Sequence, residues 1–339
     1  MITMKEALFY KKLAGGKVQC QLCPHKCIIA EGKKGFCGVR KNASGKLNSL
    51  VYRKLCSMNP DPIEKKPLFH FAPGTRCMSI ATVGCNLDCS FCQNWEISHP
   101  PERDIYGEDV APEKIVEMTK QSGLPGIAYT YTEPTVFYEY SLECMKLAKK
   151  AGLYNVWVSN GYINPEPARK VAKYMDAINV DLKGDIKFYQ KLCSVPDEEP
   201  MKKALIIYKK AGVWVEITNL MIPGYNDKPE QVKRLVGWVK KSMGPDTPLH
   251  FSRFYPQRRL TDVKPTPVET LETAVRIAEK AGMNYVYLGN VPGHKKENTY
   301  CPKCGTLVIE RYGLMTRAIK DKCPECNTKI PVAGKRWLE

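Results

Sequence analysis

From residue 79 onward the chain alternates short apolar runs with stretches whose apolar residues recur every three or four positions. The runs are "SIATV" (79–83), "GIAYTY" (126–131), "NVWVS" (155–159), "INVDL" (178–182), "VWVEITNLMI" (213–222), "LHFSRF" (249–254) and "NYVYL" (284–288). Rich in Val, Ile and Tyr, they predict buried strands. Between them Phe137, Tyr140, Cys144 and Leu147 keep helical spacing, with Gly152 where a C-terminal cap belongs. Pro112 suits the first turn of a helix over 112–121, and Val268, Leu271, Val275 and Ala278 mark another core-facing stripe.

Strand–helix alternation repeated about six times predicts an α/β fold, a parallel sheet curled into a partial (β/α)6-type TIM barrel. A doubly wound sheet is the alternative, weakened because no G-x-G-x-x-G follows the first run. In a barrel the chemistry gathers at the C-terminal ends of the strands. That rule singles out Cys85, Glu133, Asn160, Lys183, Asn219 and Arg253. Residues 1–76 and 295–339 lack this rhythm and read as small cysteine-bearing modules flanking a core over 77–294.

No run of eighteen apolar residues occurs, so no transmembrane helix is expected. The first residues show neither a continuous apolar stretch nor a small-residue cleavage site, which predicts a cytoplasmic protein. Net charge is +17 and unevenly placed. Residues 1–76 hold 15 Lys and Arg against 4 Asp and Glu, and residues 295–339 hold 10 against 5, whereas 77–294 hold 27 against 26. The basic flanks suit an RNA or acidic protein partner as well as they suit a lysine-rich surface.

Fifteen cysteines in such a protein point to metal or catalysis rather than disulfides. Cys56, Cys77, Cys144 and Cys193 stand apart and read as small buried hydrophobes. Cys301, Cys304, Cys323 and Cys326 form two C-x2-C knuckles, the pattern of a structural zinc ribbon; a rubredoxin-type iron site shares it. Cys20, Cys23, Cys27 and Cys37, spaced C-x2-C-x3-C-x9-C, suit zinc and a second iron–sulfur cluster equally well. His25, between them, reads as a surface loop residue.

"VGCNLDCSFCQNW" puts Cys85, Cys89 and Cys92 in one loop with no fourth cysteine nearby. Three thiolates on a four-iron cluster leave one iron open for a small molecule, as catalytic zinc keeps an open position. Phe91 could wall the cluster. A zinc site completed by His99 is the alternative, although zinc ligands usually come in C-x2-C pairs.

"CNLDCSFC" resembles the signature of the radical S-adenosylmethionine (SAM) enzymes. The resemblance implies a [4Fe-4S] cluster whose open iron takes the amino and carboxylate groups of SAM, with reductive cleavage to a 5′-deoxyadenosyl radical that abstracts hydrogen. Residues 79–290 resemble the activating-enzyme branch, which includes pyruvate formate-lyase activase. "TYTEPT" (130–135) stands where that branch has Gly-Gly-Glu-Pro, with Tyr131 and Thr132 in place of the glycines. "VSNG" (158–161), "VDLKG" (180–184) and "MIPGYND" (221–227) resemble further segments. By this resemblance Glu133, Ser159 and Asn160, with Asp181 and Lys183, contact SAM: Glu133 the ammonium, Asp181 the ribose, Lys183 the carboxylate. The whole chain, with "CQLCPHKC", "GFCGVR" and "NPDPIEKKPLFHF", resembles the radical SAM member of the AmmeMemoRadiSam set. The implied partners are a reductant such as ferredoxin or flavodoxin and a protein or RNA substrate docking on the basic flanks. Two other functions compete: a radical SAM RNA-modifying enzyme, and a non-enzymatic nucleic-acid-binding zinc protein.

Overall fold

In the computed structural model, which describes residues 4–100 and 104–338, each of the seven apolar runs overlaps a strand. These are Arg76–Ala81, Gly126–Tyr129, Tyr154–Ser159, Ala177–Asp181, Trp214–Met221, Leu249–Arg253 and Val286–Gly289. They pair in parallel and strictly in chain order. A doubly wound sheet reverses its strand order at a switch point. No reversal occurs here, which excludes that alternative.

The sheet has an eighth strand that no apolar run announces. Ser57–Pro62 pairs antiparallel with Arg76–Ala81, so the sheet begins within the first 76 residues. Its sequence "SMNPDP" carries two prolines. It lies at the sheet edge, where an absent N–H breaks no ladder bond on the outer side.

The helices lie where the periodicity predicts. Pro112–Gln121 starts on its proline, and Tyr138–Lys150 buries Tyr140 and Cys144. Gly152, at φ 78°, follows that helix in the left-handed region that ends one. Val268–Lys280 buries Leu271, Val275 and Ala278. No helix among the described residues is long and apolar enough to cross a membrane.

The cysteine-bearing stretches dock at opposite ends of the strands. The N-terminal one builds two small antiparallel sheets, and its Val18, Leu22, Ile29 and Val39 join the main core. A buried ion pair fastens it: Arg40 Nη2 lies 2.8 and 2.6 Å from the two oxygens of Glu139. Removing one partner of such a pair costs about 3–5 kcal/mol, because the other is left charged and buried. Beyond the end of Tyr154–Ser159, Asn164 donates through its backbone to Leu22 O (3.0 Å) and through Nδ2 to Gln21 O (2.6 Å). This module therefore covers the C-terminal ends of the strands.

The C-terminal stretch packs beneath their starts. Tyr285 and Tyr287 share a core with Cys301, Val308, Cys323 and Ile330. Glu216, early in Trp214–Met221 and fully buried, gathers the segment that links the two ends. It accepts from Phe69 N (2.9 Å), His70 N (2.8 Å), Trp214 Nε1 (3.0 Å) and His250 Nε2 (2.8 Å). Burial opposes its charge, yet the His250 hydrogen bond and its companions hold its pKa below the usual carboxylate range. His70 then reaches the C-terminal stretch: Nδ1 donates to Pro331 O (2.7 Å), while Nε2 accepts from Tyr287 Oη (2.5 Å). The two basic flanks are thus no single docking surface. A partner laid across both would have to run the length of the strands.

Candidate functional site

The loop bearing Cys85, Cys89 and Cys92 follows the strand Arg76–Ala81 directly. Gly84 turns the chain into it at φ 103°. A Cβ at Gly84 would lie 2.5 Å from Val39 Cγ1 and 3.2 Å from Cys37 O, so glycine is required both by φ and by close approach of the N-terminal module. Arg258 and Arg259 brace the loop from far along the chain. Arg258 Nη1 donates to Asp88 Oδ1 (2.6 Å) and Cys89 O (2.8 Å), and Arg259 Nη2 to Asp88 Oδ2 (2.9 Å). His99 lies 3.6 Å from Asp88 Oδ1, on the loop's carboxylate.

The structure brings the other site candidates to the same rim. Asn160 Nδ2 points at Cys85 Sγ (3.7 Å) and donates to Asn86 Oδ1 (2.9 Å). Glu133 is buried and accepts four hydrogen bonds: from Thr135 N and Oγ1, from Ser159 Oγ (2.8 Å) and from Asn160 N (2.8 Å). Three of these donors converge on Oε1 and only the Asn160 amide reaches Oε2, which keeps acceptor capacity. Glu133 therefore ties two strand ends together and still has an oxygen with which to meet a ligand ammonium. Burial still outweighs those donors and raises its pKa. Tyr131 shows what the substituted glycine does: its φ is 62°, where a side chain is strained. Its hydroxyl donates to Asp61, and Lys66 Nζ lies 4.5 Å from its ring centroid.

Lys183 is buried and its Nζ lies 2.6 Å from Asp181 Oδ2 and 5.7 Å from the Phe91 ring centroid. Burial works against its charge, but Asp181 and then Cys89 more than compensate and raise its pKa. Asn219 and Asn226 both donate to Lys183 O, at 3.1 and 2.6 Å, fixing its backbone. Arg253 instead turns to Thr266 O (2.8 Å), away from this cluster. Phe91 packs on Phe188 with centroids 5.7 Å apart, an apolar wall beside the loop.

Cys193, expected to be an inert hydrophobe, is buried but not idle. Asp88 N donates to Cys193 O (3.2 Å) and Ser90 N to Leu192 O (2.8 Å), which sets the end of Ile186–Leu192 against the loop. A hydrogen bond from the Cys193 thiol lowers the pKa of Cys89, against the effect of burial. Cys85 goes the other way, pushed well up by burial and then by Glu133.

In the C-terminal stretch Cys301, Cys304, Cys323 and Cys326 bring their sulfurs within 4.8 Å of one another. Cys301 and Cys326 are 3.5 Å apart, and Cys304 and Cys323 3.4 Å. Sulfurs around a tetrahedral zinc at the usual bond length stand about 3.8 Å apart. The donor set fits that ion, and four ligands would leave it no open position.

His25 is a correction. It is half-buried, stacked on Phe36 with centroids 4.2 Å apart, and its Nε2 lies 2.8 Å from Asn86 O. Burial lowers its pKa, so the neutral ring donates to that carbonyl. It joins the N-terminal module to the cysteine loop.

Residues 79–236 match the Radical SAM superfamily family model. An uncharacterized protein of Methanocaldococcus jannaschii is 48% identical over 334 residues, covering 97% of this chain and 99% of the relative. Among solved structures, SuiB of Streptococcus suis bound to the precursor peptide SuiA aligns with TM-score 0.51 and 13% identity, over 68% of this chain and 52% of that one. A radical SAM methyltransferase from Sphaerobacter thermophilus aligns with TM-score 0.50 and 14% identity, over 68% and 70%. At such identities these likenesses establish the fold alone. The chain belongs to the radical SAM superfamily.

Proposed function

We propose that this protein is a radical SAM enzyme of the activating-enzyme type, with a [4Fe-4S] cluster held by Cys85, Cys89 and Cys92. The observation that carries the reading is convergence. Three thiols, Glu133, Ser159, Asn160, Asp181 and Lys183 come from four successive strand ends to one rim of a sequentially wound parallel sheet. When bound and reduced, the cluster supplies the single electron that cleaves SAM to methionine and a 5′-deoxyadenosyl radical.

The chain's own residues bind and orient. Lys183 offers a buried cation for the carboxylate of SAM, and Asp181, with its side chain a third exposed, offers acceptor lone pairs to ribose hydroxyls. Ser159 and Asn160 are held in place by Glu133. Phe91 and Phe188 keep water from one side of the loop. Only the N-terminal basic flank lies at this end, so a macromolecular substrate, protein or RNA, docks there rather than on the C-terminal stretch.

Anaerobic reconstitution with dithionite and SAM tests the reading. The wild type should release 5′-deoxyadenosine and the triple variant Cys85→Ala, Cys89→Ala, Cys92→Ala should release none. Undiminished product from the triple variant overturns it.

A further inference from the structure

The N-terminal cysteines differ from the C-terminal four in a way that spacing alone does not show. Cys20, Cys23, Cys27 and Cys37 line one partly open recess, together with Arg40 and Asn86. The knuckle is closed by Cys20 N donating to Cys27 O (3.0 Å), so the four thiols are held around a common space. Yet among the described residues the C-terminal set is the one group of three or more ligating residues whose ligand atoms lie within 4.8 Å of one another. The N-terminal thiols share a cavity without collapsing to the distances a single ion imposes. A cube of four irons takes one thiolate on each of four separate metals, so its ligands need not converge on a single ion.

Two further observations agree. Arg40 is buried at the recess, and its Nε has no hydrogen-bond partner, which an anionic cluster would answer electrostatically. The recess also touches the first cysteine loop: Asn86, which lines it, is the neighbour of Cys85 and accepts the His25 hydrogen bond (2.8 Å). Cys37 O lies against Gly84, the residue before Cys85.

We propose that Cys20, Cys23, Cys27 and Cys37 hold a second four-iron cluster, and that it relays electrons to the cluster at Cys85, Cys89 and Cys92. The site assignment stands on its own residues; the relay rests on the radical SAM reading above. In the relay a low-potential one-electron donor of the ferredoxin class, or dithionite, gives one electron to the second cluster and is itself oxidised by one. The second cluster passes that electron to the first and returns to its oxidised state. The first loses it to the sulfonium, where the S–C5′ bond breaks.

The test uses the full chain, reconstituted anaerobically, with metal analysis and electron paramagnetic resonance as readouts. The triple variant Cys85→Ala, Cys89→Ala, Cys92→Ala should keep about four irons and four sulfides per chain and show a reduced-cluster signal. Loss of all iron from this variant, or zinc in place of iron beyond the one equivalent of the C-terminal site, overturns the site. The quadruple variant Cys20→Ser, Cys23→Ser, Cys27→Ser, Cys37→Ser should retain four irons at the first loop, and its thermal midpoint serves as the folding control. If that variant does not fold, Cys37→Ser alone should still change the signal of the triple variant, and an unchanged signal counts against the site. For the relay, the wild-type reduced spectrum should be broadened by spin coupling. A wild-type spectrum equal to the sum of the two variant spectra removes it. Should the wild type fail to cleave SAM while the triple variant keeps its iron, the proposed function falls and the second site stands.

Discussion

Two sets of four cysteines stand at the two ends of the same strands, and they have little else in common. The C-terminal set draws its sulfurs to 3.4–3.5 Å in pairs, sits under the strand starts and shares a core with Tyr285 and Tyr287. The N-terminal set lines a recess against the residue after Cys85, at the end where Glu133, Asn160 and Lys183 meet. In barrels the C-terminal ends of strands carry chemistry and the N-terminal ends carry stability. The contrast teaches that a four-thiol motif is read by how far apart the fold holds its sulfurs and at which end, as well as by its spacing in sequence.

The comparison can be broken at either end. At the C-terminal end of the strands, Cys89→Ala should abolish 5′-deoxyadenosine formation while leaving the far-ultraviolet circular dichroism unchanged; retained activity would dissolve the distinction. At the other end, Glu216→Ala should cost about 3–5 kcal/mol of stability, since His250 and two backbone donors lose a buried carboxylate. Denaturant titration reads that loss, and SAM cleavage per folded molecule should stay at wild-type rate. A Glu216→Ala protein of normal stability would show that this end is not the structural one.

A pH titration sharpens the same contrast. Burial lowers the pKa of His70 from 6.5 to about 4. Below 6.5 the unfolded chain binds a proton that the folded chain refuses, so stability falls as pH drops from about 6.5 and levels off below about 4. At 1.36 kcal/mol per unit the full span is about 3 kcal/mol. In His70→Gln that part of the pH slope should vanish from the unfolding free energy. The smallest expected effect is at the site itself: Lys183→Ala should weaken SAM binding by about 1.5–3 kcal/mol, measured by equilibrium dialysis on the reconstituted protein. Unchanged affinity would return Lys183 to the role of partner to Asp181.

Most of the sheet is legible in the sequence because buried parallel strands are mainly apolar on both faces, and all seven runs stand out although some carry a buried polar residue such as Asn179, Glu216 or His250. The edge strand Ser57–Pro62 is invisible for the opposite reason: half-exposed and carrying Pro60 and Pro62, it has no pattern to show. At the rim the cysteine loop is legible from its spacing. Cys193, Arg258 and Arg259 are not, since their contacts with the loop span a hundred residues or more and no local rule requires them. A pair of arginines in a loop was the one hint. The role of His25 is not legible because its ring partners, Phe36 and Tyr162, come together only in the folded chain.

The ion pair between Arg40 and Glu139 also sets an order of events in biosynthesis. Its partners are 99 residues apart, and Leu8 N reaches the same carboxylate across 131 residues. During vectorial synthesis the N-terminal thiols emerge well before the helix that anchors their module, so they cannot dock until Glu139, 102 residues after Cys37, has followed them. Docking of that module is therefore a late step, and a ribosome stalled before Tyr138–Lys150 would display four unsheltered cysteines to whatever oxidant or metal meets them first.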